Sequence, residues 1–141
     1  MTSLVFPDVN VWLALATPGH VHNKKAKRWF ETLDQEDLAF CRFTQLGLLR
    51  LLTTAAVMGP DVLTQRQAWL VYDAFLKDGG ATFLHEPRTL EQSFRSQSRQ
   101  SSASPKDWAD SYLAAFALET GATLITFDKA LASKVKNSVI P

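Results

Sequence analysis

Short apolar runs alternate with longer stretches of helical periodicity along this chain, and two of the runs end on a single acid. Residues 3–7 (SLVFP) have the pattern of a buried strand that delivers Asp8 at its carboxyl end, and residues 10–16 (NVWLALA) predict a short helix stopped by Thr17, Pro18 and Gly19. Between 21 and 33, Ala26, Trp29, Phe30 and Leu33 recur at helical spacing with Lys24, Lys25, Lys27 and Arg28 between them, which predicts an amphipathic helix with a basic face. Residues 38–43 (LAFCRF) predict a second strand, followed by a mostly buried helix over 45–57 with Thr44 as its N-cap. Gly59 and Pro60 break the chain before a helix whose face is Ala68, Val71, Tyr72 and Phe75 and which ends near Gly79 and Gly80.

A third strand follows over 81–85, then residues 90–99, whose pattern is compatible with a helix. The Ser/Gln-rich run 96–104 (SQSRQSSAS) has no apolar face and predicts a mobile polar loop. Ser104 and Pro105 supply a cap and a first-turn proline for a strong helix over 107–120, closed by Gly121. A strand over 122–126 (ATLIT), a short helix over 130–135 and a final strand at 139–140 complete the pattern. Strands alternating with helices imply an α/β layer fold with a mostly parallel sheet.

Bulk properties narrow the class. A chain of 141 residues fits one domain over 1–141, and 46% apolar with 21% charged residues is an ordinary globular balance that excludes disorder and coiled coil. The net charge of +1 excludes a field strong enough for nonspecific nucleic-acid binding, so any such binding uses local patches. A single Cys41 excludes an internal disulfide and fits a reducing, cytoplasmic compartment. Residues 1–5 lack the basic start and long apolar run of a secretion signal, and no stretch approaches a membrane span; no membrane association is expected.

The acids carry the chemistry. Ligands gather at the carboxyl ends of strands in a parallel sheet, where Asp8 and Asp128 both fall, and Asp107 with Asp110 project from one face of the next-to-last helix near its positive end. Oxygen donors of this kind suit Mg²⁺ or Mn²⁺, whose natural substrate is a phosphodiester and whose chemistry needs no nucleophilic side chain. Each acid also has a plainer role: Asp8 or Asn10 and Asp128 as helix caps, Asp107 and Asp110 as complements to the helix dipole. Three such explanations at three matching places compete with one shared site.

DVNVWLALA at 8–16, FTQLGLLRLL at 43–52 and DWADSYLAAFALETGATLITFD at 107–128 resemble the PIN-domain toxins of the VapC type, over nearly the whole chain. The resemblance implies a three-layer α/β/α domain and a metal-dependent endoribonuclease, the toxin of a toxin–antitoxin pair, that hydrolyses structured RNA such as tRNA or rRNA. It implies Asp8, Asp110 and Asp128 as catalytic, metal-coordinating acids for Mg²⁺ or Mn²⁺, Asn10 and Thr126 in supporting positions, and Asp107 as a helper. It also implies a homodimer and inhibition by a small VapB-type antitoxin that reaches the acidic site. Members usually carry a further acid three positions before the arginine of TQLGLLR; here that position is Gly47, which implies a leaner metal site. The competing reading is a PIN-like module that binds RNA or protein without cutting.

Other residues keep two readings. Gln45 is a cap, a buried hydrogen-bonding group or a water-mediated ligand, and Arg50 pairs with phosphate or with an acid. Lys24 to Arg28, Arg95 and Arg99 contact an RNA backbone or simply solvate their surface. Trp12, Trp29, Trp69 and Phe75 are core unless exposed, when they would fit a helix-binding groove. His20, His22 and His85 are assigned no metal or general-base role.

Overall fold

The computed structural model describes residues 3–34 and 36–141. Met1 and Thr2, part of the opening segment discussed above, lie outside the described residues. Among the described residues five strands, β1 (Leu4–Pro7), β2 (Asp37–Phe40), β3 (Ala81–Phe83), β4 (Thr123–Ile125) and β5 (Ser138–Val139), form one sheet in the order β3-β2-β1-β4-β5. All four pairings are parallel. The chain therefore builds outward from β1 to β3 on one side, then returns to lay β4 on the other side of β1. That reversal, between β1 and β4, is where an open parallel sheet forms its ligand crevice.

Side chains alternate across each strand and sort into two cores, making three layers. Val5, Leu38, Phe40 and Ile125 face a core completed by Val11, Trp12 and Leu13 of α1 (Val9–Ala16), Leu48 and Leu52 of α3 (Arg42–Leu52), and Ala68 and Tyr72 of α5 (Gln65–Lys77). Phe6 and Leu124 face the opposite core, with Leu90 of α6 (Leu90–Gln97), Leu113 to Ala117 of α7 (Asp107–Thr120) and Leu131 of α8 (Lys129–Lys134). Trp12 is fully buried, its indole stacked on Phe40 at 3.7 Å between centroids, and Phe75 meets it edge-on; these aromatics are core. Ala114, Ala115 and Ala117 keep α7 slim where it packs on the sheet, and Gly121, at φ 72°, ends it in the left-handed turn that glycine adopts without a Cβ penalty.

Helix α2 (Asn23–Glu31) buries Asn23 and Ala26 and exposes Lys24, Lys25, Lys27 and Arg28, as its periodicity predicts. Several boundaries differ from expectation; β3 ends at Phe83 rather than residue 85, and α1 starts at Val9 rather than Asn10. Arg42 and Phe43 are helical rather than strand, because Cys41 takes the N-cap and Thr44, the expected cap, sits one turn in and accepts the Cys41 N–H at 3.0 Å. The helix expected over 45–57 splits into α3 and α4 (Ala55–Met58) at Thr53 and Thr54, whose hydroxyls donate to the Leu49 and Arg50 carbonyls and close the last turn of α3. Ser96 and Gln97 continue α6 instead of opening the polar loop. Ser104 does not cap α7 through its side chain; its carbonyl accepts the Asp107 N–H in a turn that precedes the helix. Among the described residues no helix is long and apolar enough to cross a membrane.

Candidate metal centre

Asp8 leaves the end of β1 buried, at 5% exposure. Its Oδ1 accepts the N–H groups of Asn10 and Val11 at 3.0 and 3.3 Å, which makes it the N-cap of α1 and fixes the carboxylate plane. Its Oδ2 accepts the Thr126 hydroxyl at 2.5 Å. Thr126 is fully buried just past β4, and its Oγ1 also accepts the Asp128 N–H at 3.0 Å. One hydroxyl thus ties the two strand ends at the crevice together. Asp128 repeats the arrangement of Asp8: Oδ1 caps α8 by accepting from Ala130 and Leu131 at 2.9 and 3.1 Å.

Burial pushes the Asp8 carboxyl above its ordinary pKa, the hydrogen bonds from Thr126, Val11 and Asn10 oppose the shift, and the negative charge of Asp128 adds to it. A carboxylate held away from water beside another carboxylate is a group that gains from a cation. The Lys134 ammonium, from the last turn of α8, serves other acids: it donates to Asp107 Oδ1 at 3.1 Å and Asp110 Oδ2 at 3.2 Å. Both contacts hold the ammonium above its ordinary pKa.

A cavity of about 860 Å³ opens over this edge, and Asp8, Asn10, Asp110 and Asp128 all line it. Thr126 lies behind Asp8 rather than on the wall, and Asp107 faces Lys134 outside the lining. The donor set suits a hard divalent ion: three carboxylates from three elements, with Asp8 disfavoured as a bare charge. Among the described residues no three His, Cys, Asp or Glu side chains stand close enough together to hold an ion as they are. Filling the site would require the three carboxylates to draw closer together, with Asp110 released by Lys134.

Gly47 lines the same cavity, beside Val9. A Cβ built there would stand 2.5 Å from Val9 Cγ2 and 3.1 Å from Cγ1, so the close approach of α3 to α1 fills the space that an acidic side chain would need. The departure at Gly47 is thus a packing solution. Gln45 is buried and accepts from the Arg42 guanidinium at 2.6 Å, the hydrogen-bonding role. Arg50 lines the cavity and makes no ion pair among the described residues.

Sequence reasoning did not single out Lys134, Phe43 or Leu46. Lys134 carried one signal, a base in the last turn of the helix that Asp128 begins. Phe43, Leu46 and Trp69 carry the cavity away from the acids and are exposed by 38, 62 and 48%, an apolar opening unusual beside so polar an end. Of the histidines, His22 stacks on Phe127 at 4.3 Å and none lines the cavity.

The profile of the PIN domain family matches residues 5–137 of the chain. Ribonuclease VapC41 of Mycobacterium tuberculosis is 45% identical over 128 residues, covering 87% of this chain and 88% of that protein. Ribonuclease VapC39 of the same organism is 31% identical over 140 residues, 99% of this chain and 98% of that protein. The crystal structure of M. tuberculosis VapC20, a sarcin–ricin loop cleaving toxin, superposes with a TM-score of 0.69 over 93% of this chain and 94% of that one at 18% identity, a likeness of fold.

Proposed function

This chain belongs to the PIN domain family and, within it, to the VapC ribonucleases, and on that premise we propose that it is a divalent-metal-dependent endoribonuclease, the toxin of a toxin–antitoxin pair. The observation that carries the reading is the convergence of Asp8, Asp110 and Asp128 on one cavity at the reversal point of the sheet. These three would hold Mg²⁺ or Mn²⁺. A hard ion bound there lowers the pKa of water and offsets phosphate charge, which is what phosphodiester hydrolysis requires.

The chain's own residues prepare the place. Thr126 and the α1 backbone hold the Asp8 carboxylate in one orientation, the α8 backbone does the same for Asp128, and Asn10 borders the cavity next to the capped turn. Arg50, unpaired on the wall, offers a guanidinium to a phosphate of the bound strand. Cys41 is buried and its thiol pKa is raised by that burial, which argues against a covalent route through sulfur.

The substrate in this reading is a structured RNA, tRNA or rRNA, cut by a single domain that acts in the cytoplasm. The exposed apolar wall of Phe43, Leu46 and Trp69 supports two further parts of the reading, a VapB-type antitoxin that covers the opening and a homodimer. The test is incubation of total cellular RNA with the purified, antitoxin-free protein in Mg²⁺, Mn²⁺ or EDTA, with Asp8→Asn as control. Discrete fragments that need both metal and Asp8 are expected. A folded, metal-bound protein that cuts nothing would overturn the reading and leave a PIN module that binds without cleaving.

A further inference from the structure

A second cavity, of about 460 Å³, lies between α6 and the start of α7, lined by Glu91, Phe94, Arg95, Ser98, Arg99 and Trp108. It shares no residue with the acidic cavity. Trp108 is 59% exposed although a buried position among the α6 and α7 side chains would remove a large apolar surface from water. Phe94 meets the indole in a T-shaped contact with centroids 6.1 Å apart, and Tyr112 in turn braces Phe94 at 5.7 Å. Ser111 donates to the Gln97 carbonyl at 3.1 Å, which pins the end of α6 to α7 beside the ring. The indole is therefore supported from beneath and open above.

The charge around it is cationic. Glu91 is the one acid on the lining and is already paired with Arg95 at 3.0 Å, whereas Arg99 makes no ion pair among the described residues. An open aromatic face beside an unpaired guanidinium is the combination that holds single-stranded nucleic acid, the ring stacking a base and the arginine meeting its phosphate. We propose that Trp108, braced by Phe94, and Arg99 form a nucleobase-stacking subsite for the RNA strand, flanking the acidic centre; this rests on the ribonuclease reading above.

Position supports the pairing of the two sites. Trp108 and Asp110 leave α7 two residues apart and on opposite sides of it, so they are separated by about the 10–12 Å diameter of a helix with its side chains. At roughly 3.4 Å per stacked nucleotide that is about three nucleotides. A strand wrapped around the start of α7 then presents one phosphate to the acids while a base a few positions away lies on the indole. Such a subsite reads unpaired bases, so it selects loops over helical RNA.

The test uses the Asp8→Asn protein in Mg²⁺, where bound RNA is expected to stay intact, and a fluorescein-labelled, mixed-sequence single-stranded RNA followed by anisotropy. Adding Trp108→Ala or Trp108→Leu is expected to weaken binding roughly 5- to 100-fold, while Trp108→Phe, which keeps a ring face, stays within about 3-fold. Arg99→Ala is expected to flatten the dependence of log affinity on log salt by about one unit. Equal binding by Trp108→Ala, or by the Leu and Phe variants, with far-ultraviolet circular dichroism unchanged, overturns the subsite while leaving the nuclease reading intact. Loss of a protein complex in Trp108→Ala with RNA affinity unchanged assigns the patch to a protein and also overturns it. Absence of RNA binding by the Asp8→Asn parent, with no cleavage by the wild type, overturns both readings.

Discussion

Gly47 offers the sharpest test of how this site is built. If α3 lies against α1 because position 47 has no side chain, Gly47→Ala must force its new methyl into Val9, 2.5 Å from Cγ2 and 3.1 Å from Cγ1. Overpacking of that kind costs about 1–3 kcal/mol, and the gain from replacing glycine by alanine inside a helix returns about 1 kcal/mol. The net loss is then about 0–2 kcal/mol. Val9→Ala removes both γ methyls and leaves only Val9 Cβ, which lies 3.4 Å from the added carbon, an ordinary contact. In that background Gly47→Ala should no longer destabilise and should show the helix gain alone.

Urea unfolding of the four proteins of this double-mutant cycle, in metal-free buffer, measures the coupling between the two sites. A coupling of about 1–3 kcal/mol, favourable to the doubly substituted protein, is expected. Equal cost of Gly47→Ala in both backgrounds would refute the packing account and leave Gly47 simply as a lost ligand. The same logic extends to function. An acid restored by Gly47→Glu should be tolerated only alongside Val9→Ala.

Three further outcomes follow from the acids and their neighbours. Since the folded pKa of Asp8 lies above its unfolded value, its contribution to stability is present at low pH and is lost as pH rises through the folded pKa, so metal-free Asp8→Asn should gain stability relative to wild type from pH 4 to pH 7 while losing cleavage; parallel urea midpoints across that range, with no widening gap, would contradict the buried-charge account. Lys134→Met frees Asp110 Oδ2 from a half-exposed ion pair whose contribution is of order 0.5–1 kcal/mol, so Mn²⁺ should bind about 2- to 5-fold more tightly by calorimetry; weaker binding would mean that the lysine orients Asp110 instead of competing for it. Thr126→Val removes a buried hydroxyl that serves both strand ends and should cost about 1–3 kcal/mol in denaturant unfolding, with cleavage reduced about tenfold or more; wild-type values for both would show that the hydroxyl positions nothing.

Strand ends and the acids on them were legible because their signals are local. SLVFP and ATLIT are apolar runs too short for helices, and Gly121 marks a helix end by its own backbone needs. The start of α3 was misread for an equally local reason: LAFCRF stays largely apolar past the point where the backbone turns, and a cysteine gives no recognisable cap. What stayed hidden depends on contacts between distant segments. Nothing in FTQLGLLRLL discloses that Val9 fills the space at Gly47, and nothing in the spacing of α7 discloses that Trp108 stays open while Phe116, on the same helix, is fully buried. Lys134 could be placed beside Asp110 only once α7 and α8 were known to lie on the same face of the sheet.

Helix capping and metal binding, alternatives for Asp8 and Asp128 in the sequence, are compatible in the structure. A carboxylate has two oxygens, and in both residues one of them, Oδ1, takes the two N–H groups at the start of the following helix. Capping locks the side chain's torsions before any ion arrives, so the ordering entropy of the two proposed ligands is spent in folding and not in binding. The second oxygen differs between the two: in Asp8 it is held by Thr126, and in Asp128 no hydrogen bond among the described residues engages it. Asp110 has no cap to serve and is held by Lys134. The order of rigidity is then Asp8, Asp128, Asp110. An ion that enters should meet a fixed anchor first and recruit the lysine-held acid last, which makes Asp110→Asn the least damaging of the three substitutions for metal affinity and Asp8→Asn the most.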